Sequence, residues 1–473
     1  MSGETDLSTR VGAPADEQDL EDLALDEDYA LNAAFVDMVI DAADRGDGER
    51  VRELVAALHP ADVADLMGFL TADYREEIVP HIAPEELAEI LSELDTNIRE
   101  EVLDIVAPAT LAKALEDLDS DDAADVVDDL DDRKRASVLA AMPAAPRSAI
   151  EASLAYEDDT AGRLMQREVV YAPQFWTVGQ ALEHMRGDAA DLPELFFDVY
   201  VVDPAMRPQG ATPISRLVRM APNTLLTEIM EPVTEIPVDM DQEEVAYIFD
   251  KYHLISAPVV DPGGRLVGQI TVDDVVGVIQ EESEEDMLAL ANVSDAGRDA
   301  STAGIVRSRL PWLVLNLFTE TVAVSAIAVF QDEVQRVVAL AILMPIISSV
   351  GGNAGTQTLA VAVRALAARE LNASNTTRII LRELMAGLLN GFGLAMIMGG
   401  AVWFFYHDIR LALTAGLALE ADIFVAAVGG ILAPLILERM GRDPAVSSSI
   451  IVTFLTDLMG FFAVLAIAAL ILL

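Results

Sequence analysis

The chain has no cysteine among its 473 residues, which excludes a disulfide framework and any thiolate metal site. Lysine is nearly as scarce, with Lys113, Lys134 and Lys251 the only ones. Lysine and arginine together number 30 against 79 aspartates and glutamates, a net charge of -49, and such a chain lacks the basic surface that nucleic acid requires. The five histidines, His59, His81, His184, His253 and His407, are scattered, and no nucleophile and base stand together as an enzyme needs. No signal-peptide pattern opens the chain: residues 1–30 are acidic, lack an apolar core and read as a disordered cytosolic tail. Hydrophobic residues make up 52% of the chain, and charge and apolar content are segregated, acid in the first 300 residues or so and apolar residues after them. The length suits several domains. Self-repulsion from so much acid is tolerable where salt shortens the Debye length to roughly 3 Å at 1 M, so a halophilic cytoplasm is expected.

Between Val63 and Leu154 a pattern repeats every 12 residues, as octets beginning at positions 63, 75, 87, 99, 111, 123, 135 and 147. Apolar residues recur at octet positions four, five and eight, as in Leu66, Met67 and Leu70 or Ile90, Leu91 and Leu94, which is one face of a short helix. Connectors rich in Pro, Asp and Thr supply stops and caps, so residues 31–155 are expected to form an α-solenoid with an acidic outer face. Those acids fit either a divalent-cation sensor or ordinary solvation.

From about Tyr156 the period changes to strands alternating with helices, in two units of similar order, 156–222 and 223–279. Leu164-Met165 and Ile229-Met230 open the units, and Gly268-Gln269-Ile270-Thr271-Val272-Asp273-Asp274 closes the second. These units resemble a pair of CBS domains, an α+β fold. Resemblance to CBS pairs that bind adenine nucleotides puts weak ATP-site candidates at Thr271 and Asp274; the first unit carries Pro213 and Arg216 at the matching positions after Gly210. The competing use of Thr271 and Asp274 is to cap the helix that follows.

Residues 280–302 form an acidic connection, with Glu281, Glu282, Glu284, Glu285 and Asp286 on an expected helix from Val275 to Leu290. Acids three and four apart on such a helix repel unless cations bridge them or salt screens them. Residues 303–473 carry five apolar segments, roughly 310–330, 337–363, 379–405, 411–437 and 445–473, all but the second continuous and long enough to span a core of ~30 Å. Arginine concentrates before the first segment, between the second and third, and between the fourth and fifth, which puts the N-terminus in the cytoplasm and the C-terminus outside. The second segment is expected to be broken at Ser348 to Gln357, where Gly351, Gly352 and Gly355 follow Pro345; close packing at glycine is the alternative. Asp457 stands near the middle of the last segment, where a charged side chain normally serves a polar path. Thr453 and Thr456 are spaced to lie beside it, making a hard-oxygen surface of the kind that suits hydrated Mg²⁺.

In its order of solenoid, CBS pair, acidic helix and five spans, the chain after residue 30 resembles the MgtE-type magnesium transporter family. The resemblance is carried by Gly351-Gly352-Asn353-Ala354-Gly355-Thr356-Gln357, Val363-Arg364-Ala365-Leu366-Ala367, Asp443-Pro444-Ala445 and Thr456-Asp457-Leu458-Met459-Gly460. It implies a homodimer in the cell membrane that passes Mg²⁺ into the cytoplasm through a pore built mainly from the second and fifth spans, and no enzymatic activity. It implies a pore carboxylate at Asp457, with Gly352, Asn353, Gln357, Thr453 and Thr456 lining the path. It also implies closure by cytosolic Mg²⁺ held among acids at Glu281, Glu282, Glu285, Asp286 and Asp443. Glu320, inside the first span, departs from the family pattern and is a candidate second cation contact. The competing reading is a membrane-anchored CBS nucleotide sensor that conducts nothing, which leaves Asp457 and Asn353 without a task.

Overall fold

The computed structural model describes residues 20–472 apart from 21–22, 27–28, 117, 188–191, 194, 292, 294–301, 368, 370, 372–374 and 447. The chain divides into two compact units, one essentially up to Ile279 and one from Gln280 onward.

The first unit opens with α1 (Ala33–Asp44) and α2 (Gly48–Val55). Eight short helices follow: α3 (Pro60–Phe69), α4 (Ala72–Ile78), α5 (Pro84–Glu93), α6 (Thr96–Ile105), α7 (Pro108–Ala114), α8 (Ser120–Asp128), α9 (Asp132–Ala141) and α10 (Ala144–Ser153). They begin twelve residues apart throughout, three residues ahead of the apolar octets. The connector residues are the reason: proline opens α3, α5 and α7, where its missing N–H would have had no partner. Within the octet that begins at Arg75, Pro80 ends α4 early in a single 3-10 turn. Alternate helices pack together, α3, α5, α7 and α9 making one row, while on the other side α4 packs on α6 and α8 on α10. Octet positions four and five are the core, with Leu66, Met67, Ile90, Leu91, Val126 and Val127 at most 2% exposed. Leu20 and Ala24 belong to the same core, which corrects the expectation of a disordered tail to residue 30: apolar residues among the acids after position 19 dock on the solenoid. Residues 1–19 of that tail lie outside the described residues.

Two sheets of matching topology follow. β1 (Tyr171–Pro173) runs parallel to β2 (Asp198–Val202), which pairs antiparallel with β3 (Pro208–Pro213); β4 (Ile236–Pro237), β5 (Ser256–Val260) and β6 (Leu266–Thr271) repeat the order. Register confirms the internal equivalence, because Val201 faces Gly210 as Val259 faces Gly268, and Asp198 faces Pro213 as Ser256 faces Thr271. Both glycines are required by a close approach: a Cβ would come within 2.5 Å of the Glu231 carbonyl at Gly210 and of the Gln166 carbonyl at Gly268. Around the sheets lie α11 (Ala161–Leu164), α12 (Val178–Gly187), α13 (Ile214–Leu217), α14 (Leu226–Ile229) and α15 (Gln242–Tyr252).

Helix α16 (Val272–Leu290) contributes Val275 and Val278 to the core of the second sheet, and its far end begins the second unit. There, Ala289 and Leu290 pack with Leu359, Val363, Ala433 and Val452. The rest of this unit is α17 (Thr302–Val329), the short α18 (Gln331–Arg336), α19 (Ala339–Ala367), α20 (Thr376–Tyr406), α21 (Ile409–Arg439) and α22 (Ser448–Ile471). All but α18 are long and apolar enough to cross a membrane, the shortest having 24 residues, about 36 Å of helix. α21 packs against α19, α20 and α22, whereas α17 packs on α22.

The expected break in the second span does not occur: α19 is one continuous helix of 29 residues. In an apolar medium every freed backbone group is costly, so the glycines stay helical and serve packing instead. Gly355 abuts Val452 and Ala426, and a Cβ on Gly430 of α21 would meet the Gly355 carbonyl at 2.7 Å.

Candidate functional site

Within the membrane helices, Asp457 of α22 is half-buried and accepts a hydrogen bond from Ser348 Oγ of α19. Glu320, half-buried on α17, neighbours Asp457. A third acid not singled out in the sequence, Asp422 of α21, is fully buried with neither carboxylate oxygen hydrogen-bonded. It presses on Gly351, where a Cβ would stand 1.8 Å from Asp422 Oδ2. The signal that marks Asp457, an acid inside an apolar segment, also marks Asp422 within 411–437.

The expected partners of Asp457 divide. Gly352 faces Thr456, with 3.7 Å between a Cβ built there and Thr456 Oγ1. Thr456 is fully buried and donates to the Val452 and Thr453 carbonyls of its own helix, which corrects the expectation that its hydroxyl lines a path beside Asp457. A threonine hydroxyl in apolar surroundings is satisfied by the preceding turn. Thr453 is half-buried, and its carbonyl is one of those acceptors. Asn353 and Gln357 are exposed on α19. Gln357 lines a separate cavity of about 490 Å³ with Thr358, Glu383 and Asn390, so it does not join Asp457.

The second group of acids lies in the first unit. Gln166 and Gln269 exchange backbone hydrogen bonds, and Gln269 Nε2 donates to Gln166 Oε1 at 2.7 Å and to the Glu168 carbonyl at 3.0 Å. The Glu168 carboxylate in turn accepts from Ser120 Oγ at 2.8 Å and from Ser120 N at 3.2 Å, at the start of α8, where the helix dipole favours negative charge. These bonds tie the closing strand β6 to the solenoid and bring Asp119, Asp121 and Asp122 up to Asp273 and Asp274. Burial, then the Asp274 charge, pushes Asp122 up to about 7 and Asp121 well above the usual carboxylate range. Burial, then Glu168 and Asp273, raises Asp119 to about 6; burial is also the main reason that Asp274 stands at about 6. Thr271 Oγ1 donates to Asp274 Oδ2 at 2.7 Å. The solenoid members of this cluster were indistinguishable in sequence from the other acids of the repeats.

A cavity of about 640 Å³ beside the two sheets is lined instead by Asp198, Tyr200, Ser215, His253, Ser256 and neighbours. Tyr200 OH donates to Ser256 Oγ at 2.9 Å, and Ser256 donates to Asp198 at 2.8 Å. Thr271 and Asp274 do not line it.

On α16, Glu281 and Glu285 are exposed while Glu282 and Asp286 are half-buried. Burial, then the charges of Asp443 and Glu285, raises the Asp286 carboxyl above its usual range, so Asp286 and Asp443 face one another. Asp443 Oδ1 accepts from Ala445 N at 2.7 Å just before α22. Among the described residues no three carboxylate or imidazole side chains converge as a ready-made metal cage. A cation that keeps much of its water needs none.

Family descriptions match along the chain in the order of the fold: an MgtE intracellular N domain over residues 58–159, a CBS domain over 226–281 and an MgtE divalent cation transporter over 344–467. The magnesium transporter MgtE of Thermus thermophilus is 37% identical over 330 residues, covering 69% of this chain and 73% of that protein. The chain belongs to the MgtE family. Members of this family are transporters and not enzymes. The magnesium transporter MgtE of Enterococcus faecalis is 36% identical over 65% of this chain and 68% of its own length. Among solved structures, the cytosolic domain of the Mg²⁺ channel MgtE in complex with ATP is 34% identical to this MgtE chain, covering 51% of it and 99% of that domain, with a TM-score of 0.48.

Proposed function

We propose that this MgtE-family chain carries Mg²⁺ into the cytoplasm down its electrochemical gradient, along a path that passes Asp457, and works as a homodimer. The observation that carries the path is the half-buried Asp457 carboxylate between Ser348 of α19 and Glu320 of α17, an oxygen-only surface in the midst of five apolar helices. Hard-oxygen donors suit a divalent ion that gives up water reluctantly. Arginines Arg307, Arg309, Arg364, Arg378, Arg382, Arg439 and Arg442 flank one set of helix ends and support a cytoplasmic N-terminus with the C-terminus outside.

The reading of closure by cytosolic Mg²⁺ is supported by two sets of neighbouring acids, Asp119, Asp121 and Asp122 with Asp274, and Asp286 with Asp443. Each set is costly while ionised and unbridged, so a divalent ion that binds only the closed arrangement shifts the population toward it. Glu282 and Glu285 share the α16 face of Asp286, and Glu281 with Glu285 lies on the adjoining face. The 640 Å³ cavity beside Asp198 and Ser256 supports ATP binding there, away from Thr271 and Asp274.

Mg²⁺ entry into liposomes containing the purified chain in high KCl tests the path. Asp457→Asn should abolish entry while leaving expression unchanged; entry at the unsubstituted rate would overturn the assignment.

A further inference from the structure

Asp422 lies within the membrane helix α21, nothing above employs it, and its surroundings are unusual for a carboxylate. It is 0% exposed, and neither of its oxygens has a hydrogen-bond partner. An ionised carboxyl in such a place lacks both water and donors, and it requires compensation by an opposite charge. Asp457 is the charged group that faces it, and it has the same sign.

The position is specific. Asp422 Oδ2 fills the space that a side chain at position 351 would occupy, so the glycine there gives the carboxylate direct access to the α19 backbone. Three residues earlier on the same helix, Ser348 donates to Asp457. Residues three apart share a helix face and differ by about 4.5 Å in height, so two carboxylates from α21 and α22 converge on one face of α19 within a turn. The side chains named there offer oxygen and no soft ligand.

We propose that Asp422 is a second cation-binding carboxylate on the path, holding with Asp457 a divalent cation of the Mg²⁺ class against the Gly351 face of α19. This rests on the reading that Asp457 lies on the path. An ion between the two carboxylates supplies the charge that both oxygens of Asp422 lack. Fewer waters are kept at this position than at the more open Asp457, so Asp422 sets affinity and Asp457 sets passage. Carboxylate count is the main lever on the affinity of an oxygen site for a hard divalent ion.

The test is Mg²⁺ entry into liposomes as a function of external Mg²⁺, repeated at each of a series of pH values, with the full chain and its Asp422→Asn, Gly351→Ala and Asp457→Asn variants. Asp422→Asn keeps the shape and removes the charge; it should raise the half-saturating Mg²⁺ concentration about tenfold with maximal entry still measurable. Gly351→Ala keeps the charge and displaces the carboxylate, so it should shift half-saturation in the same direction. Half-saturation unchanged in both variants would overturn the proposal. Unchanged half-saturation in Asp422→Asn with an altered pH profile would overturn it too, in favour of a bound proton. If Asp422→Asn does not fold, Gly351→Ala decides by the same criterion. Asp457→Asn separates the two readings: undiminished entry there defeats the Asp457 path itself, whereas lost entry there beside an unaltered Asp422→Asn defeats only the present inference.

Discussion

Asp121 and Asp122 hold their protons to higher pH in the folded chain than in an open one, because burial and the facing Asp274 oppose ionisation. A carboxyl raised in this way binds more protons in the fold than outside it, over a window that for Asp122 runs from the ordinary value near 4 to about 7. Its contribution therefore favours the fold at low pH and declines as pH rises through 6 to 7. In metal-free buffer the amides of residues 119–122, corrected for intrinsic rates, should be better protected from hydrogen exchange at pH 5.5 than at pH 8. Millimolar Mg²⁺ should remove most of that difference, and protection that grows with pH without metal would contradict the assignment. Single residues were legible where context made them odd. An acid in an apolar span marks itself, which is why Asp457 stands out and why Asp422 carries the same signal. Asp121 does not, because acids sit on nearly every solenoid helix and only packing against β6 distinguishes the one that is buried.

At the scale of helices and strands, three of the four arginines at octet position one, Arg75, Arg99 and Arg135, have a common task. Arg75 donates to the Met67 and Leu70 carbonyls, Arg99 to the Leu94 carbonyl and Arg135 to the Val127 and Asp128 carbonyls, each closing the end of the preceding helix. Arg75 is buried and also pairs with Glu101 at 2.7 Å. Arg75→Met should cost about 1–3 kcal/mol, since two buried carbonyls lose their donor. The lowered thermal midpoint of the first unit, followed by fluorescence or calorimetry, would report it. Gly268→Ala should be worse tolerated than an exposed glycine such as Gly277, because its Cβ would enter the Gln166 carbonyl, and a loss of folded yield checks this. The twelve-residue period and the paired strand order were readable directly, for both are regular patterns of apolar residues. The course of α19 was not: glycine and proline read as a break in water, and it takes tertiary neighbours to show that the same glycines are contact points in a continuous helix.

For the whole molecule, a charge of -49 means that folding gathers like charges, and salt relieves this by shortening the range of repulsion to roughly 3 Å at 1 M. Thermal stability should rise steadily from 0.1 to 2 M KCl, and a flat melting series would show that the acids are locally compensated instead. The two-row stacking of the solenoid has a further consequence for how such a chain can change size. Because α3, α5, α7 and α9 form one row and the helices between them lie on the other side, an insertion of one twelve-residue repeat would move every later helix to the opposite side and turn its partners over. Two repeats restore the alternation. Lengthening or shortening this region is therefore compatible with the fold in steps of 24 residues, a parity rule that the packing imposes on any relative or redesign of the chain.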